Sequence, residues 1–278
     1  DPEGRAEDYF GQSVSISGNY AVIGAPYSDI ADHENQGSAI IYALSGESWQ
    51  LKQKITDAEG ITNEFFGKSV SIDNNYLIIA APGDSVLTEA TWVTPPVFYK
   101  SGGSANIWQL SGSSWNFMQK ISSGNNFANS VSVSGNRALI GADGQYVNGN
   151  EGQAGHEAQG AAFFYHYNGN SWVVTQRVFN PGGIQNDNFG SSVSLSGNYA
   201  MIGADRCFLN TGFDKGVVVI YNLINTEWKP LQIFTDPYGK VADRFGAGLA
   251  IDGSTKRFLS GACGSASGNG KAIFGKIR

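Results

Sequence analysis

Side chains able to do chemistry collect in a few long, irregular stretches of this sequence. The segment DGQYVNGNEGQAGHEAQ (143–159) places Asp143, Asn148, Asn150 and Glu151 within nine residues, followed by His156 and Glu157. Oxygen donors at that density are what calcium takes. Their spacing matches no standard calcium loop, and a Gly/Asn-rich turn would show the same composition. Calcium is therefore the one cofactor held open, and otherwise none is expected. The segment PGDSVLTEATWVTPPVFYKSGG (82–103) supplies Asp84, Trp92, Phe98 and Tyr99. Those aromatics either offer a platform for a sugar or a partner protein or fold inward and bury themselves. Tyr27, Tyr146 and Asp205, each in a comparable segment, complete the candidate ligand-binding set. Cys207 and Cys263 are a candidate disulfide, which would imply an oxidising compartment, or else two free thiols.

Several chemistries find no support. His33 and His156 lie in different loops with no cysteine or third histidine at zinc spacing, and His166 lies in a strand. No Ser-His-Asp signature, phosphate-binding glycine loop or nucleophile elbow appears, so no catalytic residue is assigned and no enzyme is expected. A net charge of −6 without a Lys/Arg cluster argues against nucleic acid, and no apolar run approaches the ~18 residues that span a bilayer.

The segments are positioned by a repeat. Phe10, Phe66, Phe127, Phe189 and Phe245 stand 56, 61, 62 and 56 residues apart. Each begins the same phrase, as in DYFGQSVSISGNYAVIGAP, EFFGKSVSIDNNYLIIAAP and DNFGSSVSLSGNYAMIGAD. A Ser-rich first strand, a Gly-Asn or Asn-Asn turn and an apolar second strand are followed by an apolar third strand such as GSAIIYAL or GVVVIYNL. A fourth strand such as SWQLKQKI or SWNFMQKI closes the unit. Trp49, Trp108, Trp115, Trp172 and Trp228 are read as structural residues at recurring strand positions. Asp8, Glu64, Asn125, Asp187 and Asp243 precede the landmark phenylalanines and are read either as turn caps or as an acidic girdle.

Four antiparallel strands repeated five times predict an all-β protein, a five-bladed β-propeller as one domain over 1–278. Its blades run approximately 8–55, 64–121, 125–179, 187–234 and 243–278, the last lacking its outermost strand. The phrase "DYFG…SVSISGNYAVIGAP…GSAIIY" resembles the FG-GAP repeat of integrin-α-like propellers, in the bacterial-type variant. The resemblance covers essentially the whole chain. It departs at Phe127-Ala128, where Gly is expected, and at Asp143, Asp205 and Cys263, where two copies have Pro. The Asp-x-Asp-x-Asp-Gly calcium loop of integrin-type copies is absent from all five.

Connections between second and third strands carry the length and irregularity, so function is expected on the face they form. The expectation is a secreted or cell-surface recognition and adhesion module that binds glycan or protein there, without membrane insertion. The alternative is a structural propeller within a larger surface protein. Residues 1–11 align without a gap on 236–246, which follow a fourth strand. A strand-four segment from upstream residues or another chain is therefore expected to complete blade five.

Overall fold

The computed structural model describes residues 4–90, 97–123, 126–145, 159–183, 186–207, 215–240, 242–264 and 270–278, with backbone alone for 86–90 and 97–101. It is all-β: every element among the described residues is a strand, and the strands form five antiparallel blades of four, four, four, four and three. The first blade comprises β1 (Ser13–Ser17), β2 (Tyr20–Ala25), β3 (Ser38–Ser45) and β4 (Ser48–Ile55), paired in chain order. The second comprises β5 (Val70–Asp73), β6 (Tyr76–Ala90), β7 (Val97–Ser111) and β8 (Ser114–Ile121). These two make up most of a compact unit, Asp1–Asn129. Most of the rest forms a second unit, Ser130–Arg278. Here lie β9 (Phe127–Ser134, crossing the boundary), β10 (Arg137–Ala142), β11 (Ala161–Tyr167) and β12 (Trp172–Val178). Blade four has β13 (Phe189–Ser196), β14 (Tyr199–Ala204), β15 (Val217–Ile224) and β16 (Glu227–Phe234). Blade five has β17 (Phe245–Asp252), β18 (Arg257–Ala262) and β19 (Lys271–Lys276), leaving β19 as an edge.

Alternating small and apolar residues build the joints between blades. In the first unit Ser13 Oγ donates to the Gly67 carbonyl (2.7 Å), while Ser15 Oγ and Ser17 Oγ accept from the N–H groups of Ile72 (3.1 Å) and Asn74 (3.0 Å). The second unit repeats the triplet twice. Ser130, Ser132 and Ser134 bind Gly190, Leu195 and Gly197, and Ser192, Ser194 and Ser196 bind Gly246, Ile251 and Gly253. Short hydroxyls let two strands approach closely and satisfy backbone groups that would otherwise be buried without partners. That is why the serine pattern recurs.

A second clasp joins the fourth strands. The Gln53 amide both donates to the Trp115 carbonyl (3.0 Å) and accepts from its N–H (3.1 Å), and Gln176 does the same to Trp228 at 2.8 Å each. Between the clasps lie the apolar cores. One gathers Val22, Ile41, Phe66, Ile72, Leu77 and Trp115 in the first unit. Another gathers Phe164, Phe189, Leu195, Ile202, Val219 and Trp228 in the second, with Phe164 stacked on Trp228 at 4.3 Å.

Three of the recurring acids cap the preceding turn. Asp8, Glu64 and Asp243 accept from the N–H groups three residues earlier, Arg5, Ile61 and Lys240, and Asp187 accepts from Asn180 Nδ2. Asn125 lies outside the described residues. Two further expectations are corrected. The 82–103 segment is no structureless loop: β6 and β7 continue past a register shift between Ala81 and Ser85 and pair out to Ala90↔Val97 as a long hairpin. Nor are Cys207 and Cys263 bonded, since Cys207 is buried in the second unit's core beside Asn180 Nδ2 (3.3 Å) whereas Cys263 is exposed.

Candidate functional site

The pairings of third with fourth strands share one irregularity. Each shifts register at the same place, after Ile41, Ile107, Phe164 and Ile220. The extra residue lies in the fourth strand, Lys52, Met118, Thr175 and Leu231, and bends that strand there. The third-strand residue just past the shift is Tyr42, Tyr165 and Tyr221 in three blades, but Trp108 in the second. Trp108 thus recurs with the third-strand tyrosines, whereas Trp49, Trp115, Trp172 and Trp228 open fourth strands. Two positions earlier the second blade departs again, with Asn106 where the others have Ile40, Phe163, Val219 and Ile273.

These departures line a cleft of about 610 Å³ between the connection that follows β4 and strands β7 and β8. Trp108 and Phe117 form its aromatic wall, edge to face with ring centroids 5.5 Å apart, and Phe117 is 53% exposed. Met118 extends the apolar surface, while Asn106, Asp57 and Lys120 supply polar groups. An amphiphilic cleft of this size, with one aromatic wall, can hold the apolar face of a polyol while bonding its hydroxyls.

Behind the cleft sits a charge cluster. Carboxylate oxygens of Asp57, Glu64 and Asp84 lie within 4.8 Å of one another, and Lys120 Nζ bridges Asp57 (2.6 Å) and Asp84 (2.9 Å). Burial would raise Asp57, but bonds from Lys120, the Glu64 carboxyl and the Glu59 N–H hold it below its ordinary value. Glu64, fully buried, moves oppositely: burial first, then its bond to Asp57 and the charges of Asp57 and Asp84, push it up to about 9. Near neutrality one proton and one ammonium therefore neutralise much of this cluster. A raised carboxyl beside a carboxylate suits acid–base work, but Glu64 is closed off from solvent and serves as a turn cap.

The protonated Glu64 carries a pH dependence. A carboxyl that keeps its proton to about pH 9 in the fold, against an ordinary value of 4.5, contributes stability in full below pH 4.5. That contribution is lost as pH rises toward 9. Glu64→Gln, which mimics the neutral acid, is expected to flatten this slope. Between pH 5 and 8 the wild type should lose about 4 kcal/mol that the variant keeps, read from urea midpoints.

A second aromatic feature lies where the first two blades begin. Tyr27 touches Tyr9 and Phe65 (4.9 and 5.3 Å), with Lys68 Nζ 5.8 Å from the Tyr27 centroid. Tyr9 and Phe65 hold left-handed backbone (φ 53° and 59°) at equivalent repeat positions. Among the expected ligand-binding residues, Tyr27 is in this row, and Asp84 is held by Lys120 behind the cleft. Asp205 is ion-paired with Arg244. Phe98 and Tyr99 lie on β7 opposite Glu89 and Thr88. Trp92 and Tyr146 fall outside the described residues, as do Asn148, Asn150 and Glu151 of the calcium set. Its remaining member, Asp143, is raised to about 6 by burial and by the charge of Asp205. Reading the sequence missed Trp108, Phe117, Asp57 and Lys120, although Asn106 and Trp108 break the repeat visibly.

Successive antiparallel blades, joined within each unit through Ser-rich first strands, define a β-propeller. Residues 1–42, 49–89 and 172–218 match the family model described as FG-GAP repeat. With five recurring blades, the chain is an FG-GAP β-propeller. Hydrazine synthase of Kuenenia stuttgartiensis has a similar solved structure, with a TM-score of 0.52 over 96% of this chain and 84% of that one. At 9% identity the likeness speaks for the fold alone. No curated protein matches the chain.

Proposed function

We propose that this propeller is a non-catalytic recognition module, secreted or displayed on a cell surface, that binds carbohydrate in the second-blade cleft. One observation carries the reading: the aromatic wall of Trp108 and Phe117 stands beside Asn106, Asp57 and Lys120 in the blade that departs from the repeat there. Lys120 already bridges two of the carboxylates behind the cleft, so this reading calls on no calcium there. Placement outside the cell follows the resemblance to integrin-α-like propellers.

A glycan-array screen of the purified chain, with calcium and with chelator, tests it. Saturable binding to a related group of sugars is expected in both conditions. Trp108→Ala should weaken it at least tenfold, and Phe117→Ala, at a largely exposed site, should weaken it without unfolding the chain. A blank array in both conditions would overturn the carbohydrate reading.

A further inference from the structure

Second strands open on tyrosine in three blades: Tyr20 begins β2, Tyr76 begins β6 and Tyr199 begins β14. Arg137 begins β10 instead, and the exposed Arg257 begins β18. In the first unit this tyrosine is packing. The Tyr20 ring meets Trp115, which opens the next blade's fourth strand, edge to face with centroids 5.6 Å apart. Within the second unit, Arg137 of the third blade and Trp228 of the fourth hold the corresponding places. The arginine does not fill the space a tyrosine would, and a pocket of about 210 Å³ remains, lined by both residues.

The guanidinium is set among donors. Directly opposite it on β11 stands His166, where the three tyrosines face Ala43, Gln109 and Asn222. Asn136 Nδ2 lies 2.9 Å from His166 Nε2. An amide nitrogen only donates, so Nε2 accepts and the ring proton sits on Nδ1. The β15–β16 turn adds Asn225 and the Thr226 hydroxyl to the lining, which includes no carboxylate. The Arg137 side chain is half-buried, yet among the described residues it has no ion pair or hydrogen bond. That is notable in a chain with 24 acidic residues against 18 basic ones.

Converging donors without an acceptor call for an anion, and the fork of a guanidinium matches the two oxygens of a carboxylate. Leu223 and Trp228 give the pocket an apolar wall, which an inorganic oxyanion cannot use. Its volume falls below the ~300 Å³ at which pockets for drug-sized ligands begin, so the ligand is small. We propose that this pocket between the third and fourth blades binds a small organic carboxylate, with its oxygens on Arg137 and its carbon end against Leu223 and Trp228. The pocket shares no residue with the second-blade cleft, so the two readings stand or fall separately.

The test titrates the full chain, isotope-labelled for NMR, with acetate, butyrate and inorganic phosphate while the Arg137 Nε–H and Trp228 indole signals are followed. Both carboxylates are expected to shift these signals saturably. Butyrate should bind at least threefold more tightly than acetate, because its extra methylenes reach the apolar wall. Phosphate should bind more weakly than butyrate. Arg137→Gln should weaken butyrate at least tenfold. Arg137→Tyr, which installs the residue of three other blades, should abolish binding while melting no lower than the wild type, so that lost binding is not lost folding. Signals that drift with ionic strength without saturating would overturn the proposal. So would butyrate binding that survives in both variants, and phosphate binding as tight as butyrate would overturn the choice of a carboxylate.

Discussion

Gly24→Ala is expected to destabilise the first unit by about 3 kcal/mol or more, whereas Gly261→Ala, at the equivalent place in the fifth blade, should cost no more than about 0.5 kcal/mol. Both glycines occupy second strands, and neither has a positive φ, so strand propensity treats them alike. Their surroundings differ. A Cβ on Gly24 would stand 2.0 Å from the Gly67 carbonyl oxygen and 2.3 Å from Ser13 Oγ, inside the serine joint itself. On Gly261 the nearest atom would be 3.7 Å away. Backbone cannot step aside as a flexible side chain can, so alanine at 24 must part the two blades or break the Ser13 bond. Gly141 and Gly203 face the same closeness, with Gly190 and Gly246 carbonyls at 2.0 and 2.3 Å. Urea unfolding of the single variants decides the matter. A Gly24→Ala chain as stable as the wild type would mean that the joint is looser than described.

Lys120→Met should be the most damaging change outside the cores, at about 2–4 kcal/mol near neutral pH. Removing one partner from a buried ion pair leaves the other charged and desolvated; the lower part of the usual range applies because the Lys120 side chain is a quarter exposed. Asp57 and Asp84 would then face each other and the Glu64 carboxyl without an ammonium. Without the bonds from Lys120, burial would push the Asp57 carboxyl up in the folded state. The fold would keep its stability below about pH 4 and lose it as pH climbs. The deficit of the variant should therefore shrink on acidification. Combining it with Asp57→Asn should recover part of the loss, a non-additivity that a double-mutant cycle measures. A deficit independent of pH would point to lost packing of the lysine stem instead.

The strand plan was legible because two periodicities coincide: alternation within each strand and recurrence of the landmark phenylalanine. Serine at every second residue of β1 already states which side faces a neighbour. Other features escaped because their causes are not local. The hairpin reach of β6 and β7 depends on cross-strand pairing that Pro95 and Pro96 gave no reason to expect. The Asp57–Glu64–Asp84–Lys120 cluster draws from the connection after β4 and from strands β6 and β8, so no run of sequence contains it. Cys207 and Cys263 looked alike as neighbours of second-strand ends, yet one turned toward Asn180 and the core while the other stayed in solvent. Trp108 was within reach. Comparing third strands column by column isolates it and Asn106, whereas counting tryptophans hides it.

The serine joints have an evolutionary consequence. Each hydroxyl addresses a peptide carbonyl or amide of the neighbouring blade, a group every residue but proline supplies in full. Such a coupling recognises chain geometry and is nearly blind to side-chain identity, so one blade can be duplicated, deleted or exchanged without redesigning its neighbours. The long connections meet the next blade through backbone groups at their ends, as Gln36, Gln159 and Lys215 do, and the stretches before those ends are then free to diverge blade by blade. A repeat wired in this way can change its number of modules and its binding surface independently.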